Sequence, residues 1–241
     1  MTRLDVLVTK SGMAESRERA QALIIAGKVR VAGETVRRPD RSVSDDASIS
    51  IEDGPGYASR GALKLAPALT TFGVDPAGLV CADIGASTGG FTDVLLRRGA
   101  AKVYAIDVGR GLLHWRLRQD PRVVVIERVN ARELEAFPEP VSLIVVDVSF
   151  IGLEKVLPAL RRAAPGAGVV ALFKPQFQVD RSEVGKGGIV RDQVAIDAAL
   201  ARLRSWCAGN GYVVHADVAS ELPGADGNRE IFLDLRPDSD Q

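Results

Sequence analysis

The chain has 241 residues, of which 46% are hydrophobic and 26% charged, and its acidic and basic side chains balance at 31 each. This length and composition suit one α/β core with a small additional module, and the zero net charge excludes a general attraction of nucleic acid to the whole surface. Two cysteines without histidines at ligand spacing argue against a disulfide framework or a zinc site, and we expect no metal.

The first 13 residues, "MTRLDVLVTKSGM", lack the apolar core of a signal peptide. The longest apolar runs are shorter than the roughly 20 residues that a membrane helix needs. The sequence therefore predicts a cytoplasmic protein with no membrane partner, and it leaves the oligomeric state open.

Residues 1–50 are predicted to form a small basic α+β domain, since residues 1–44 contain nine Lys or Arg and five acids. Ser16 is placed to cap a helix that ends at Gly27, and "KVRVAGETV" predicts a hairpin that turns at Ala32–Gly33. Clustered basic side chains favour binding of RNA phosphates, although a merely solvated face remains the alternative. The RNA-binding candidates of this domain are Arg3, Lys10, Ser16, Arg17, Arg19, Lys28 and Arg30.

Glycine and proline at residues 51–59 predict a linker to a second domain, 60–236, which is followed by a tail at 237–241. In the second domain, strands are predicted at 79–85, 102–108, 122–127, 141–147, 167–174, 211–218 and 229–235, and helices at 61–72, 89–98, 152–163 and 192–209. Apolar strands separated by helices indicate a mostly parallel sheet that is covered on both faces. The last two strands are joined by a short loop and should pair antiparallel. This seven-strand layout resembles the Rossmann-like methyltransferases.

The segment "VCADIGASTGGFTDVLL" (80–96) combines a strand, a glycine-rich turn and the start of a helix, which is typical of a nucleotide-cofactor site. It is not the GxGxxG of dinucleotide sites, and an acid two residues before the first glycine is more typical of S-adenosylmethionine sites. Glycines needed only for turn geometry are the alternative explanation. The cofactor-binding candidates are Asp83, Gly85, Ala86, Ser87, Thr88, Gly89, Gly90, Phe91, Asp107, Asn130 and Asp147.

Charged residues stand at the ends of predicted strands, where ligands of open α/β sheets bind. Asp147 ends "SLIVVD", Lys174 ends "VVALFK", and Glu230 lies at the start of the last strand. Lys64, on the helix before the first strand, can lean over the same edge. Each could singly be a solvated charge, but together they suggest a catalytic cluster. Phe150, in "VVDVSF", could stack on a base or line the cofactor pocket, but we expect it to be a core aromatic.

Several segments resemble successive motifs of the TlyA family of rRNA 2′-O-methyltransferases, whose catalytic domain is FtsJ-like. These are "YASRGALKL", "ADIGASTGGFTDVLL", "VVDVSFIGL", "LFKPQFQ", "GKGGIVRD" and "GNREIFLDL". The N-terminal "RLDVLVTKSGMAESRERAQALIIAGKVRVAGETV" resembles the S4 RNA-binding domain.

The resemblance implies transfer of a methyl group from S-adenosylmethionine to a ribose 2′-hydroxyl of ribosomal RNA or a ribosomal subunit, at a cytidine. It also implies a catalytic tetrad of Lys64, Asp147, Lys174 and Glu230, with Asp147 and Glu230 orienting Lys174. The short N-terminus favours the large subunit, with the small subunit possible. Apart from the resemblance, Arg60 at the domain junction is an RNA-binding candidate, and Lys186 and Arg191 lie in a glycine-rich loop that could contact the RNA backbone, with an ordinary surface loop as the alternative.

Two questions stay open at the sequence level. Lys174 could take the proton of the hydroxyl or only steer that hydroxyl and stabilise the developing alkoxide. The alternatives to a methyltransferase are an RNA-binding ribosome assembly factor without catalysis and, less favoured, a nicotinamide-dependent oxidoreductase.

Overall fold

The computed structural model describes residues 1–14, 16–51, 56–224 and 226–238. The chain divides into two compact units, Met1–Tyr57 and Ala58–Gln241. Residues 52–55 of the predicted linker and 239–241 of the predicted tail lie outside the described residues. No helix in the described part of the chain is both long enough and apolar enough to cross a bilayer.

The first unit is a small α+β arrangement with its own apolar core. Its elements are β1 (Thr2–Arg3), α1 (Leu4–Lys10), α2 (Arg17–Ile25), β2 (Val29–Val31), β3 (Glu34–Val36), β4 (Ser42–Val43) and β5 (Ile49–Ile51). Strand β2 lies between β3 and β5, and β1 pairs with β4, all antiparallel.

Both local predictions for this unit are confirmed. The Ser16 side chain accepts a hydrogen bond from the Arg19 backbone N–H at 3.2 Å and so caps α2. The hairpin turns at Ala32 and Gly33, whose φ angles of 50° and 85° are those of a type I′ turn.

The sequence does not predict helix α1, because this helix is short, contains β-branched residues and has no side-chain cap. Leu4 and Val8, one helical turn apart, are fully buried in the core of the unit. Tertiary packing therefore supplies the stability that local propensity does not.

The second unit is built around a seven-stranded sheet. Its elements are α3 (Ala62–Phe72), β6 (Val80–Ile84), α4 (Gly90–Arg97), β7 (Lys102–Asp107), α5 (Trp115–Arg118), β8 (Val123–Glu127), β9 (Leu143–Val146), α6 (Leu157–Ala163), β10 (Gly168–Phe173), α7 (Gln193–Ala208), β11 (Tyr212–Ala219) and β12 (Ile231–Pro237). The strand order is β11-β12-β10-β9-β6-β7-β8.

Strands β6 to β10 run parallel, and β12 pairs antiparallel with both β10 and β11. This confirms the predicted mostly parallel sheet with an antiparallel end. The last residue of β10, Phe173, lies opposite the first residue of β12, Ile231. The start of β12 therefore meets the carboxyl ends of the parallel strands.

Most observed bounds lie within two residues of the predicted ones, whereas α5 is not among the predicted helices. The helix predicted over 152–163 consists of a 3-10 turn, Leu153–Lys155, followed by α6. Pro158 in the first turn of α6 has no N–H to continue a hydrogen-bond ladder from the preceding turn. Strand β12 extends to Pro237, one residue into the predicted tail.

The first unit depends on a buried carboxylate. Asp5 is fully buried and accepts hydrogen bonds from Arg3 (3.0 and 3.1 Å), Arg17 (3.0 Å) and Gln21 (2.8 Å). These partners, the Arg3 guanidinium first, hold the pKa of Asp5 well below its usual range. Asp5 thus ties the start of the chain to α2.

We expect Asp5→Ala to lower the free energy of unfolding of the first unit by about 1–3 kcal/mol, because it removes the shared acceptor of three side chains. Urea unfolding monitored by hydrogen exchange of the α1 and α2 amides measures the loss. Because the folded pKa is depressed, the contribution of Asp5 is present above about pH 4 and is lost as the pH falls below it.

Asp40→Ala is the matched control, since Asp40 pairs with Arg38 at 3.1 Å on the exposed surface of the same unit. Exposed pairs contribute little, so this variant should remain close to the wild type. Equal destabilisation by the two substitutions would contradict the structural role of Asp5.

Candidate active site

Three charged residues lie at one edge of the sheet because of the strand order. Asp147 follows β9, Lys174 follows β10, and Glu230 precedes β12. Strands β9, β10 and β12 are neighbours, and the antiparallel direction of β12 puts its start at the edge where β9 and β10 end. The predicted convergence at the sheet edge is therefore observed.

The cluster consists of two ion pairs. Lys174 Nζ lies 2.6 Å from Asp147 Oδ1, and Lys64 Nζ donates to Glu230 Oε2 at 2.6 Å. The Glu230 side chain is only 2% exposed and that of Lys64 is 13% exposed. Lys64 reaches the edge from α3, which completes the four predicted positions.

The pairing differs from the expectation that both carboxylates orient Lys174. Glu230 pairs with Lys64, because α3 brings that lysine over the start of β12. Gly224 also packs so closely that a Cβ there would lie 2.5 Å from Glu230 Oε1. The Glu230 carboxylate is thus closely packed against Gly224 and forms an ion pair with Lys64.

Two residues in the loop after Asp147 differ from what the sequence suggests. Ser149, which the sequence does not single out, accepts a hydrogen bond from Lys174 Nζ at 3.0 Å. Phe150 is 91% exposed, so the expectation of a core aromatic is wrong, and its φ is 64°. Its ring contacts that of Phe177 with centroids 5.2 Å apart. The left-handed backbone at residue 150 turns this aromatic side chain outward.

A cavity of about 1000 Å³ opens beside the ion pairs and is lined by all four charged residues together with Asp83, Ser87 and Phe91. A second cavity, of about 350 Å³, shares the wall formed by Gly85, Ser87, Asp147, Ser149 and Phe150. The catalytic candidates and the glycine-rich turn therefore line the same cavity, and Asp147 and the turn also border the second one.

Asp83 is fully buried at the end of β6, and its Oδ2 accepts hydrogen bonds from the Thr92 backbone N–H (2.8 Å) and hydroxyl (2.6 Å). Its Oδ1 has no hydrogen-bond partner among the described residues. Burial raises the pKa of Asp83 to about 7; the Thr92 hydrogen bonds oppose this rise, and the nearby Asp147 and Asp107 carboxylates add to it.

The turn after Asp83 approaches the loop that carries the second carboxylate. Gly85 has a φ of 82°, and a Cβ there would lie 2.5 Å from the Asp147 carbonyl oxygen. The backbone N–H groups of Gly85 and Ala86 both donate to Ile106 O. Glycine is required at position 85 by its conformation and by this close approach.

The remaining turn residues form the start of α4. Asp107 accepts from the backbone N–H of Ser87 at 2.8 Å and of Gly109 at 2.7 Å, so it fixes the turn to the end of β7. Gly89 and Gly90 begin α4, Phe91 is buried, and the Thr88 carbonyl accepts from the His114 N–H. All of these predicted cofactor residues except Asp107 lie in one segment.

Two cofactor candidates that lie outside the glycine-rich turn line the second cavity. Asp107 and Asn130 line it together with apolar side chains, which are Ile106, Val108, Leu112, Val129, Ile151 and Val156. Asn130 Oδ1 also accepts from the Arg132 N–H at 3.2 Å and caps a 3-10 turn. An apolar slot with a carboxylate at its edge suits an adenosine.

The residues therefore fit S-adenosylmethionine. The buried Asp83 Oδ1, which has no partner among the described residues, suits a cationic ammonium group, and the glycine turn lines the same cavity. Asp107 retains acceptor capacity for ribose hydroxyls, since a carboxylate can accept more than two hydrogen bonds.

The RNA-binding candidates of the first unit differ in the contacts that they make within the protein. Arg3 and Arg17 are half-exposed and hydrogen-bonded to Asp5, whereas Lys10, Arg19 and Lys28 lie on the surface without a contact to that carboxylate. Arg30 donates to Gly33 O at 3.4 Å within the hairpin, and Ser16 caps α2.

In the second unit, Arg60 lines the large cavity, and Lys186 and Arg191 are exposed on the loop between β10 and α7. Asn228, which is only 1% exposed, holds this loop: its side chain accepts from the Val190 N–H (2.9 Å) and donates to Gly188 O (2.8 Å). The loop with Lys186 is thereby tied to the segment that leads into Glu230.

We expect Gly85→Ala to lower the free energy of unfolding of the second unit by about 2–4 kcal/mol, because left-handed strain adds to a collision with the Asp147 carbonyl. Gly78→Ala is the matched control: Gly78 has a φ of 72°, but no atom lies within 4 Å of the place that a Cβ would take. It should lose only about 1–2 kcal/mol. Chemical denaturation of both variants measures the difference, and equal losses would contradict a close approach at Gly85.

Comparison with known proteins agrees with this geometry. The FtsJ-like methyltransferase family matches residues 57–236, and the S4 domain family matches residues 2–49. The 16S/23S rRNA (cytidine-2′-O)-methyltransferase TlyA of Mycobacterium tuberculosis is 48% identical over 245 residues, which cover 99% of this chain and 91% of that protein. The 23S rRNA (cytidine-2′-O)-methyltransferase TlyA of Campylobacter jejuni is 37% identical over 73% of this chain and 69% of that protein.

Among solved structures, one described as a hemolysin from Streptococcus thermophilus is 40% identical, with a TM-score of 0.76, and the match covers 99% of this chain and 89% of that one. The predicted family, fold class and cofactor are confirmed, and the nicotinamide-dependent alternative is disfavoured. The chain belongs to the TlyA family of FtsJ-like, S-adenosylmethionine-dependent methyltransferases.

Proposed function

We propose that this protein methylates the ribose 2′-hydroxyl of a cytidine in ribosomal RNA. The observation that carries the proposal is the presence of two ion pairs, Lys174–Asp147 and Lys64–Glu230, in one cavity with the glycine-rich turn. The names of the Mycobacterium and Campylobacter relatives support cytidine and ribosomal RNA as the substrate class.

The chemistry needs a positioned hydroxyl and a route for its proton. When bound, S-adenosylmethionine would supply the methyl group that the 2′-oxygen receives. The hydroxyl proton must leave, and a hydroxyl is a weak nucleophile without help.

Lys174 is the proposed group that contacts the hydroxyl. Its Nζ lies 2.6 Å from Asp147 Oδ1 and donates a hydrogen bond to Ser149, and Lys174 lines the cavity. There Nζ either takes the proton through a lone pair or donates an N–H that steers the hydroxyl and stabilises the developing alkoxide. Both roles require the same orientation of Nζ.

The other tetrad members have supporting roles in this proposal. Asp147 orients Lys174, while Glu230 holds Lys64 at the cavity wall. Lys64 is placed to hold the hydroxyl or a neighbouring phosphate. Asp83, Asp107, Asn130 and the turn from Gly85 to Phe91 would hold the cofactor.

RNA capture is assigned to the domain proposed at 1–50 and to Arg60, Lys186 and Arg191. Arginine and lysine contacts to phosphates supply much of the affinity and fix the position of the RNA. In this proposal the predicted linker, 51–59, connects this domain to the catalytic domain predicted at 60–236, with β5 reaching Ile51 and β12 reaching the first residue of the predicted tail at 237–241. From the proposed ribosomal substrate we infer a cytoplasmic location.

The choice of subunit remains a prediction. The Mycobacterium relative, 48% identical, is named for both 16S and 23S rRNA, whereas the Campylobacter relative is named for 23S rRNA alone. Mapping of 2′-O-methyl positions must therefore cover both rRNAs, from cells with and without the protein. Identical maps would contradict the proposed function.

We expect Lys174→Ala to lower the rate of methyl transfer at least about a hundredfold, because the hydroxyl loses the group that aims it or accepts its proton. Transfer of tritium-labelled methyl groups to isolated ribosomal subunits measures the rate, and binding of S-adenosylhomocysteine should remain unchanged. Lys155→Ala, which removes an exposed lysine from the 3-10 turn before α6, is the control. Near-normal transfer by Lys174→Ala would exclude Lys174 from catalysis.

We expect the affinity for S-adenosylhomocysteine to rise between about pH 5.5 and 7. Burial raises the pKa of Asp83 to about 7, so below that pH the carboxyl must release a proton before it pairs with the ligand ammonium. The dissociation constant should therefore increase by up to about tenfold per pH unit as the pH falls. Isothermal titration calorimetry at each pH measures it.

Asp83→Asn is the control for that dependence, since an amide keeps an acceptor for Thr92 but cannot ionise. It should bind more weakly and show a flatter pH profile. A wild-type profile that is flat across this range would contradict the ammonium contact of Asp83.

A further inference from the structure

Lys174 has two anchors, and both lie on the loop that follows β9. Asp147 Oδ1 lies 2.6 Å from Nζ, and Ser149 Oγ accepts from Nζ at 3.0 Å. Lys174 has a flexible side chain, and a single ion pair would leave Nζ able to rotate about the axis of that contact. A second, neutral acceptor removes this freedom.

We propose that Ser149 is a positioning residue for the methyl-transfer reaction, which acts by fixing the direction in which Lys174 Nζ faces the substrate hydroxyl. This inference rests on the proposed function and adds a residue outside the tetrad. Ser149 does not contact the reacting atoms in this proposal; it acts through Lys174.

The local backbone supports the assignment. Phe150, directly after Ser149, has a φ of 64°, which residues with a Cβ rarely adopt. Such strained conformations concentrate at functional sites, where the surrounding structure holds them. The chain here is held by the Phe150–Phe177 ring contact, which joins the loop after β9 to the segment after β10.

These contacts together fix the loop after β9 against the segment after β10. Asp147 and Ser149 bind Lys174, and one residue beyond Ser149 the ring of Phe150 meets that of Phe177. The serine hydroxyl suits this position because it accepts a hydrogen bond without adding a negative charge.

The test is single-turnover methyl transfer by the full chain to ribosomal subunits, with the enzyme in excess and S-adenosylmethionine saturating. We expect Ser149→Ala to lower the maximal rate constant about 10- to 100-fold, since small errors in placement slow a reaction by this amount. The enzyme concentration at half-maximal rate, the affinity for S-adenosylhomocysteine and the melting temperature should stay at wild-type values.

Ser149→Thr retains the hydroxyl, so its rate constant should lie within about threefold of the wild-type value, well above that of Ser149→Ala. A purely structural role for Ser149 would not require this dependence on the hydroxyl. Ser142→Ala is the matched control, because Ser142 is exposed just before β9, at the opposite end of the same strand. It should leave the rate unchanged.

Three outcomes would overturn the inference. The first is a wild-type rate for Ser149→Ala while Lys174→Ala is inactive, which leaves the proposed function intact. The second is a loss confined to RNA or cofactor affinity, which would make Ser149 a binding residue. The third is failure of threonine to rescue. Full activity of Lys174→Ala would instead contradict the proposed function itself.

Discussion

The antiparallel pairing of β12 with β10 is the constraint on which the site depends. Because Phe173 lies opposite Ile231, the residue before β12 and the residue after β10 meet at one edge of the sheet. A parallel β12 would put Glu230 at the far edge, away from Lys174. This direction brings Glu230 to the edge of the sheet where Asp147 and Lys174 lie, and α3 then supplies Lys64 as its partner.

Much of this site is predictable from the sequence, because the carboxyl ends of adjacent parallel strands lie side by side at one edge of the sheet. The apolar runs before Asp147 and Lys174 identify two strands, and the rule that ligands bind at carboxyl ends places both side chains together. The short connection between the last two strands predicts the antiparallel β12 and hence the position of Glu230. The glycine turn was recognisable from its composition, since Gly85 needs a conformation that other residues avoid.

The parts that sequence did not predict depend on packing across the chain. The local sequence does not indicate that Glu230 pairs with Lys64, because this ion pair depends on how α3 lies over the start of β12. The outward direction of Phe150 follows from a single positive φ, which no pattern around it signals. Helix α1 forms because Leu4 and Val8 are buried, although its propensity is poor. In each case a tertiary contact outweighs the local preference.

The cost of the cluster argues that it is retained for chemistry. The side chains of Glu230 and Lys64 are only 2% and 13% exposed, so both groups are largely removed from water. Removing a charged group from water costs several kcal/mol of free energy per ion, and the attraction within a buried ion pair does not always offset this cost. Apolar side chains of similar size would often stabilise such a site equally well or better. Each lysine instead has its own carboxylate at 2.6 Å, so both amino groups are held at fixed points of the cavity wall, which apolar side chains could not provide.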